Sequence, residues 1–237
     1  FGVTLSADGK TAFVADRSDG LDIIDIGYAQ YFSSASDTAQ LIVDGAIPTV
    51  SNVTSTTSNG TYKVGDVINI SVAFSESVNV VTTGGTPTLE LETGSTDRTA
   101  SYSSGTGTST LVFSYTVQAG DTSSDLDYKA TSSLALNGGT IQDAAGNNAT
   151  LTLASPGASN SLGANKALVI DGVAPSLSSS SPADNATAVA GNSNIVLNFS
   201  EAVDAESGNI TIKKTSDNST IETIDVGSGQ VTGSGTT

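Results

Sequence analysis

The chain repeats itself. Residues 41–50 read LIVDGAIPTV and residues 168–177 read LVIDGVAPSL, so Asp44 aligns with Asp171, Gly45 with Gly172 and Pro48 with Pro175. Further along, VAFSESV at 72–78 matches LNFSEAV at 197–203, which aligns Phe74 with Phe199 and Glu76 with Glu201. Two landmarks in the same order, at nearly the same separation, mark a repeated structural unit. One full module is therefore expected over residues 42–170, with a second beginning at 171. Residues 171–237 cover only the first part of that module's pattern, with strands expected at Ile195–Phe199, Ile210–Lys214 and Ile221–Val226. The strands that would match Thr110 onward have no counterpart there. Half a sandwich exposes apolar edges, so later sequence or another chain is expected to complete it.

Inside the first module the apolar residues alternate. Val67, Ile68, Ile70, Val72 and Phe74 line a strand with one apolar face. Thr88–Glu92, Arg98–Tyr102, Thr110–Val117, Ser133–Leu136 and Ala149–Leu153 read the same way. Gly84-Gly85, Gly120-Asp121, Gly138-Gly139 and Gly146-Asn147 punctuate them as turns. Short alternating strands at regular turn spacing imply an all-β sandwich, and no helical period competes. Residues 1–27 differ: strands at Ala12–Ala15 and Leu21–Ile26, with Asp8-Gly9 and Asp19-Gly20 as turns, make a short meander. Residues 28–41 read as a linker.

Composition removes several function classes. The chain has no Cys and no His, so thiolate metal sites, disulfides and the usual base of a Ser or Cys nucleophile are all missing. A Ser–Lys or carboxylate pair stays formally open, but no motif supports either, and the chain is read as no enzyme. The net charge of −16 argues against nucleic acid and anionic membrane surfaces as partners. It suits a soluble surface and hard cations that take carboxylate oxygens. No apolar run is long enough for a membrane span. The chain begins with Phe and lacks a signal peptide, so a processed or excised part of a longer precursor is expected.

Asp44-Gly-x-x-Pro48, Tyr62-Lys-Val-Gly-Asp66, Phe74-Ser-Glu76, Ala119-Gly-Asp121, Leu126-Asp-Tyr128, Asp143-x-x-Gly-Asn147 and Leu168-Val-Ile-Asp171 together resemble the bacterial Ig-like repeats of large surface and adhesin proteins. Residues 171–204, with Pro182-x-Asp184 and Phe199-Ser-Glu201, are similar to a sister type found in S-layer proteins. The meander at 1–27 resembles one blade of an LVIVD-type β-propeller. These resemblances imply tandem Ig-like sandwiches with an extracellular spacer, adhesion or lattice role. The implied partners are neighbouring Ig-like modules or identical subunits. Such modules are also appended to secreted enzymes, so an accessory role is a further alternative.

Ig-like topology gives the acids a geometry. The incoming linker with Asp44, the end of the second strand with Glu76, and the loop with Asp143 and Asn147 should meet at one pole, as a Ca²⁺ site would need. At the other pole, Asp127 from the loop after Thr110–Val117 should meet Asp171 of the outgoing linker and Glu201 of the second module. The plainer reading is open for each. Asp143-Ala-Ala-Gly-Asn is a good turn by itself, Glu76 caps a strand end, and Asp171-Gly172 is a linker turn. Tyr128 either forms a tyrosine corner or packs in the core, and packing is expected.

Overall fold

The computed structural model describes residues 44–233 and, before them, the strand backbones at 2–5, 11–16 and 20–25. Two compact units divide the chain, Phe1–Val173 and Ala174–Thr237. In the first, β1 (Gly2–Leu5), β2 (Thr11–Asp16) and β3 (Gly20–Asp25) form an antiparallel meander. The expected Asp8-Gly9 turn and the 28–41 linker lie outside the described residues.

The body of the first unit is an all-β sandwich. Its strands are β4 (Val50–Ser55), β5 (Gly60–Lys63), β6 (Val67–Val81), β7 (Thr88–Leu91), β8 (Arg98–Ser104), β9 (Thr108–Thr116), β10 (Thr122–Ser123), β11 (Leu134–Ala135), β12 (Thr140–Gln142) and β13 (Leu168–Asp171). One sheet runs β11-β7-β8-β9-β6-β12, with β4 also on β6. The other runs β10-β13-β5, with β13 antiparallel to β10 and parallel to β5. Alternation along β6 and β9 sends Ile68, Ile70, Val72, Leu111, Phe113 and Tyr115 inward, where Leu168 and Ile170 of β13 join the same core.

Several details differ from the sequence reading. β6 does not stop at Phe74. It pairs with β9 from Val67 to Ala73, slips, and resumes at Val78, then takes β12 along Asn79–Val81. Ser75, Glu76 and Ser77 occupy the slip, which explains why alternation fades there without the strand ending. The strand expected at Ala149–Leu153 is reduced to one bridge, Thr49 to Thr150, and a second bridge, Gln142 to Asn148, falls just before it. A one-turn helix, α1 (Leu162–Asn165), is present where none was expected; Ser161 caps it by accepting from Ala164 N–H at 3.2 Å.

Two Gly-Gly turns interlock. A Cβ on Gly85 would sit 1.7 Å from the Asn137 carbonyl oxygen, and one on Gly138 would sit 2.4 Å from that of Gly84. Gly138 also has φ +87°, so backbone shape and close approach both demand glycine.

The second unit pairs β14 (Leu177–Ser181) with β15 (Val196–Phe199), and β16 (Asn209–Lys213) with β17 (Thr220–Asp225). Among its described residues none is buried. Its first pair nevertheless copies the β4–β6 pair of the first unit atom by atom. The ladder slips between Val50 and Asn52, and again between Leu177 and Ser179. At each slip the freed serine donates its hydroxyl to the facing strand: Ser51 to the Ala73 carbonyl at 3.2 Å, Ser178 to that of Asn198 at 2.8 Å. Thr49 N–H donates to Ser75 Oγ at 3.0 Å and Ser75 N–H returns to the Thr49 carbonyl at 2.8 Å. Ser176 and Ser200 make the same reciprocal pair at 2.9 and 2.8 Å.

Candidate metal centre

The slip in β6 sets Glu76 beside the incoming linker, because the Thr49–Ser75 pair fastens that linker to the slip. The third acid arrives on the turn after β12. Asp143 Oδ1 accepts Asn147 N–H at 2.8 Å, and Asp143 N–H donates to the Asn147 carbonyl at 3.1 Å. Gly146 between them has φ +91°. Asn147 then straps the turn to the linker. Its NH₂ donates to the Asp44 and Ala46 carbonyls, each at 3.1 Å, and to Asp143 Oδ2 at 2.7 Å. Three acceptors around one amide nitrogen fix which way the Asn147 side chain points.

The result is one pole where Asp44, Glu76 and Asp143 each bring a carboxylate oxygen within 4.8 Å of the others. Asp143 is buried, and the other two are half-buried. Among the described residues no Lys or Arg forms an ion pair with any of them. Partial burial, and then the charges of Asp44 and Asp143, push the Glu76 carboxyl above its usual range. Three carboxylates meet the charge demand of Ca²⁺ and supply half of its minimum of about six oxygens, leaving the rest to carbonyls or water. Asn147, expected as a ligand, reaches this group through its amide NH₂, a donor that holds the loop.

Asp127 and Asp171, expected side by side, lie apart. Leu126 N–H binds the Leu168 carbonyl at 2.8 Å, while Asp171 pairs with Thr122. Asp127 therefore sits at one end of β13 and Asp171 at the other, about 10 Å of strand apart. Both Asp127 oxygens are used locally, accepting Tyr128 N–H at 2.8 Å and Gly157 N–H at 2.9 Å. Asp171 Oδ1 accepts Val173 N–H at 3.3 Å, the same linker turn that Asp44 makes with Ala46 N–H at 3.1 Å. Glu201 lies in the second unit, in a bend just past β15. Tyr128 is buried, as expected, and its hydroxyl donates to the Ala154 carbonyl at 2.7 Å. That acceptor lies far downstream in sequence, so the contact is not a tyrosine corner. Burial and then the Asp127 charge push the Tyr128 pKa up to about 12.

The sequence reading missed a second acidic feature. Asp121 is buried and accepts from Tyr115 Oη at 2.6 Å, Arg98 Nε at 2.8 Å and Gln118 N–H at 2.9 Å. Its backbone grips the outgoing linker: Gly172 N–H donates to the Asp121 carbonyl at 2.7 Å, and Gly120 N–H to the Gly172 carbonyl at 2.9 Å. The available signal was Tyr115 on the inward face of β9 with a lone Arg on β8. Nothing in linear spacing joins them.

Residues 171–234 match the family described as Bacterial Ig-like domain. No curated protein and no solved structure matches the chain. The matched segment holds the β14–β15 pair, whose slip and serine contacts recur in β4–β6. Ig-like domains of this kind are structural modules, typically non-catalytic and usually found in extracellular or surface proteins. No helix among the described residues is long and apolar enough to cross a membrane.

Proposed function

We propose that the chain is a spacer segment of a large, repetitive cell-surface protein, stiffened by calcium. The observation that carries this reading is the repeated linker–strand junction. The chain makes the same Asp-Gly linker turn, ladder slip and serine pair twice in succession, as a tandem array would. Antibody raised against the purified chain should label intact producing cells. Labelling only after lysis would overturn the surface assignment.

Calcium would bind at Asp44, Glu76 and Asp143 and hold the incoming linker to the β6 slip and the β12 turn. Binding only to the folded state raises stability by about 2.7 kcal/mol at a hundredfold excess over Kd. That is a melting shift of roughly 5–10 °C for a unit of this size. The full chain should show it in millimolar Ca²⁺ relative to chelator, and Glu76→Gln should abolish it. Coincident melts would end the calcium proposal. The sign in chelator is separate. A carboxyl raised in the folded state favours folding below its unfolded pKa and loses that contribution as pH rises through the folded value. Glu76→Gln should therefore melt slightly higher than the parent at neutral pH without calcium.

Asp171 and Glu201, each in its own unit, stay as proposed ligands, and Asp127 drops out as a partner of Asp171 because it lies about 10 Å away along β13. Loss of a calcium response in Asp171→Ala, with Glu76 intact, would support Asp171 as a ligand.

A second reading is a filament or lattice subunit completed by strands of another copy. The exposed apolar residues of the second unit favour it, with Leu177, Ile195 and Ile221 each more than half exposed. A concentration-independent monomer in sedimentation would count against it. An accessory segment of a secreted enzyme is the third reading, and a catalytic domain in the parent polypeptide would select it.

A further inference from the structure

We infer that the first sandwich is a load-bearing element, built so that tension along the chain loads its terminal strands in shear. The purpose of such loading rests on the spacer reading, while the geometry stands in the molecule itself.

β6 provides the ruler. Midway along it, at Phe74, it meets Val50, where the incoming linker becomes β4. At its Val67 end it meets Thr116 of β9. Beside that end, Val117 N–H donates to the Asp66 carbonyl at 3.0 Å, and the Gly120–Asp121 turn grips Gly172. The chain thus enters the sandwich beside the middle of β6 and leaves it beside the Val67 end, about 23 Å along the strand.

Both terminal strands run along this axis. β4 is antiparallel to β6 and advances from Phe74 towards the Val67 end. β13 is parallel to β5, with Leu168 opposite Gly60 and Asp171 opposite Lys63, and it is also bound by β10 on its other edge. Pulling the two linkers apart draws each strand along its own length. Ladder hydrogen bonds lie across the strands, so they are strained together and must fail together. Leu168 and Ile170, both buried, would have to drag through the core in the same event. Peeling β13 sideways from β5 would break the bonds one after another and meet less resistance.

The Gly172 grip places the load on the strand. A Cβ at Gly172 would lie 2.3 Å from the Gln118 carbonyl oxygen and 2.8 Å from that of Asp121, so the linker backbone is pressed directly onto the turn. That turn is held in turn by the buried Asp121 carboxylate through Tyr115 and Arg98.

The chain has no cysteine, so engineered thiol handles are unambiguous. Ile47, Val64 and Val173 are each about half exposed, at 55%, 51% and 49%, and should tolerate the change. In the full chain, Ile47→Cys with Val173→Cys pulls along the axis. Val64→Cys with Val173→Cys pulls apart the ends of β5 and β13 and peels them. At equal pulling rate the axial pair should rupture at about twofold or more higher force, because forced unfolding reports the unfolding barrier. Each event should release the length of chain between the handles, at about 3.6 Å per residue. Equal forces, or a weaker axial pair, would overturn the inference. Surface labelling with equal forces would leave a spacer that bears no load. Force anisotropy without surface labelling would sink the spacer reading and leave the load-bearing geometry standing.

Discussion

The two units begin alike and end differently. Both make the Asp-Gly linker turn, the slipped ladder and the reciprocal serine pair, down to the same atoms. Yet Phe74 is 4% exposed in the first unit, while its repeat partner Phe199 is only half-buried. The local junction forms in both units from the same short pattern. Burial is a property of the whole sandwich. In the first unit β9 flanks β6 within its sheet and β13 joins the core from the other sheet, and the described part of the second has no strand in those roles.

The sharpest way to test that contrast is through the aromatic residues. Phe113→Ala should cost about 3–5 kcal/mol by calorimetry or urea titration, as expected for a fully buried Phe. Phe199→Ala should cost about 1 kcal/mol, the central value for an ordinary substitution. Comparable losses would mean that the second unit has a core the structure does not show.

A smaller effect separates buried from exposed carboxylates. Asp121→Ala leaves the Tyr115 hydroxyl and Arg98 without their acceptor and should cost about 2–3 kcal/mol. Burial alone would raise the Asp121 pKa, but the bonds from Tyr115, Arg98 and the Gln118 N–H outweigh it and hold the carboxyl below its usual value. Its contribution is therefore present above the unfolded pKa, near about 3.9, and is lost as pH falls through the lower folded value. The melting difference between parent and Asp121→Ala should narrow below pH ~4, and a constant gap would contradict the assignment. Asp217, exposed in the second unit, should show almost no effect when replaced by Ala.

The smallest effect compares two glycines at the same place in the repeat. Gly172→Ala forces a Cβ into the Gln118 carbonyl and should cost about 1–3 kcal/mol. Gly45→Ala meets nothing within 4 Å and should stay within about 0.5 kcal/mol. Equal costs would show that linker flexibility, and not the grip on Gly172, determines the residue.

How much of this was legible depends on the range of each interaction. The repeat, the alternating faces of β6 and β9, and the all-β class are local patterns, and they were readable. So was the meeting of Asp44, Glu76 and Asp143, because it follows from where strand ends lie in such a topology. Asp127 was misplaced because the loop was assigned to a pole as a whole. Its backbone follows β13 away from that pole, which only the Leu126–Leu168 contact reveals. β12 was missed because three residues, Thr140–Gln142, are too few to show a period. The two Gly-Gly pairs each read as turns, but their mutual approach is a contact between distant segments and leaves no mark in either.

The parallel pairing of β5 with β13 also has a consequence in time. β5 ends at Lys63, yet the strand that seats beside it begins at Leu168. β10 waits for the same strand. During synthesis the second sheet cannot close until almost the whole module has emerged, since contacts this far apart in sequence carry a large loop-closure cost. Until then β5 and β10 lack the strand that joins them. Once β13 inserts, both edges of that sheet are joined in one late step.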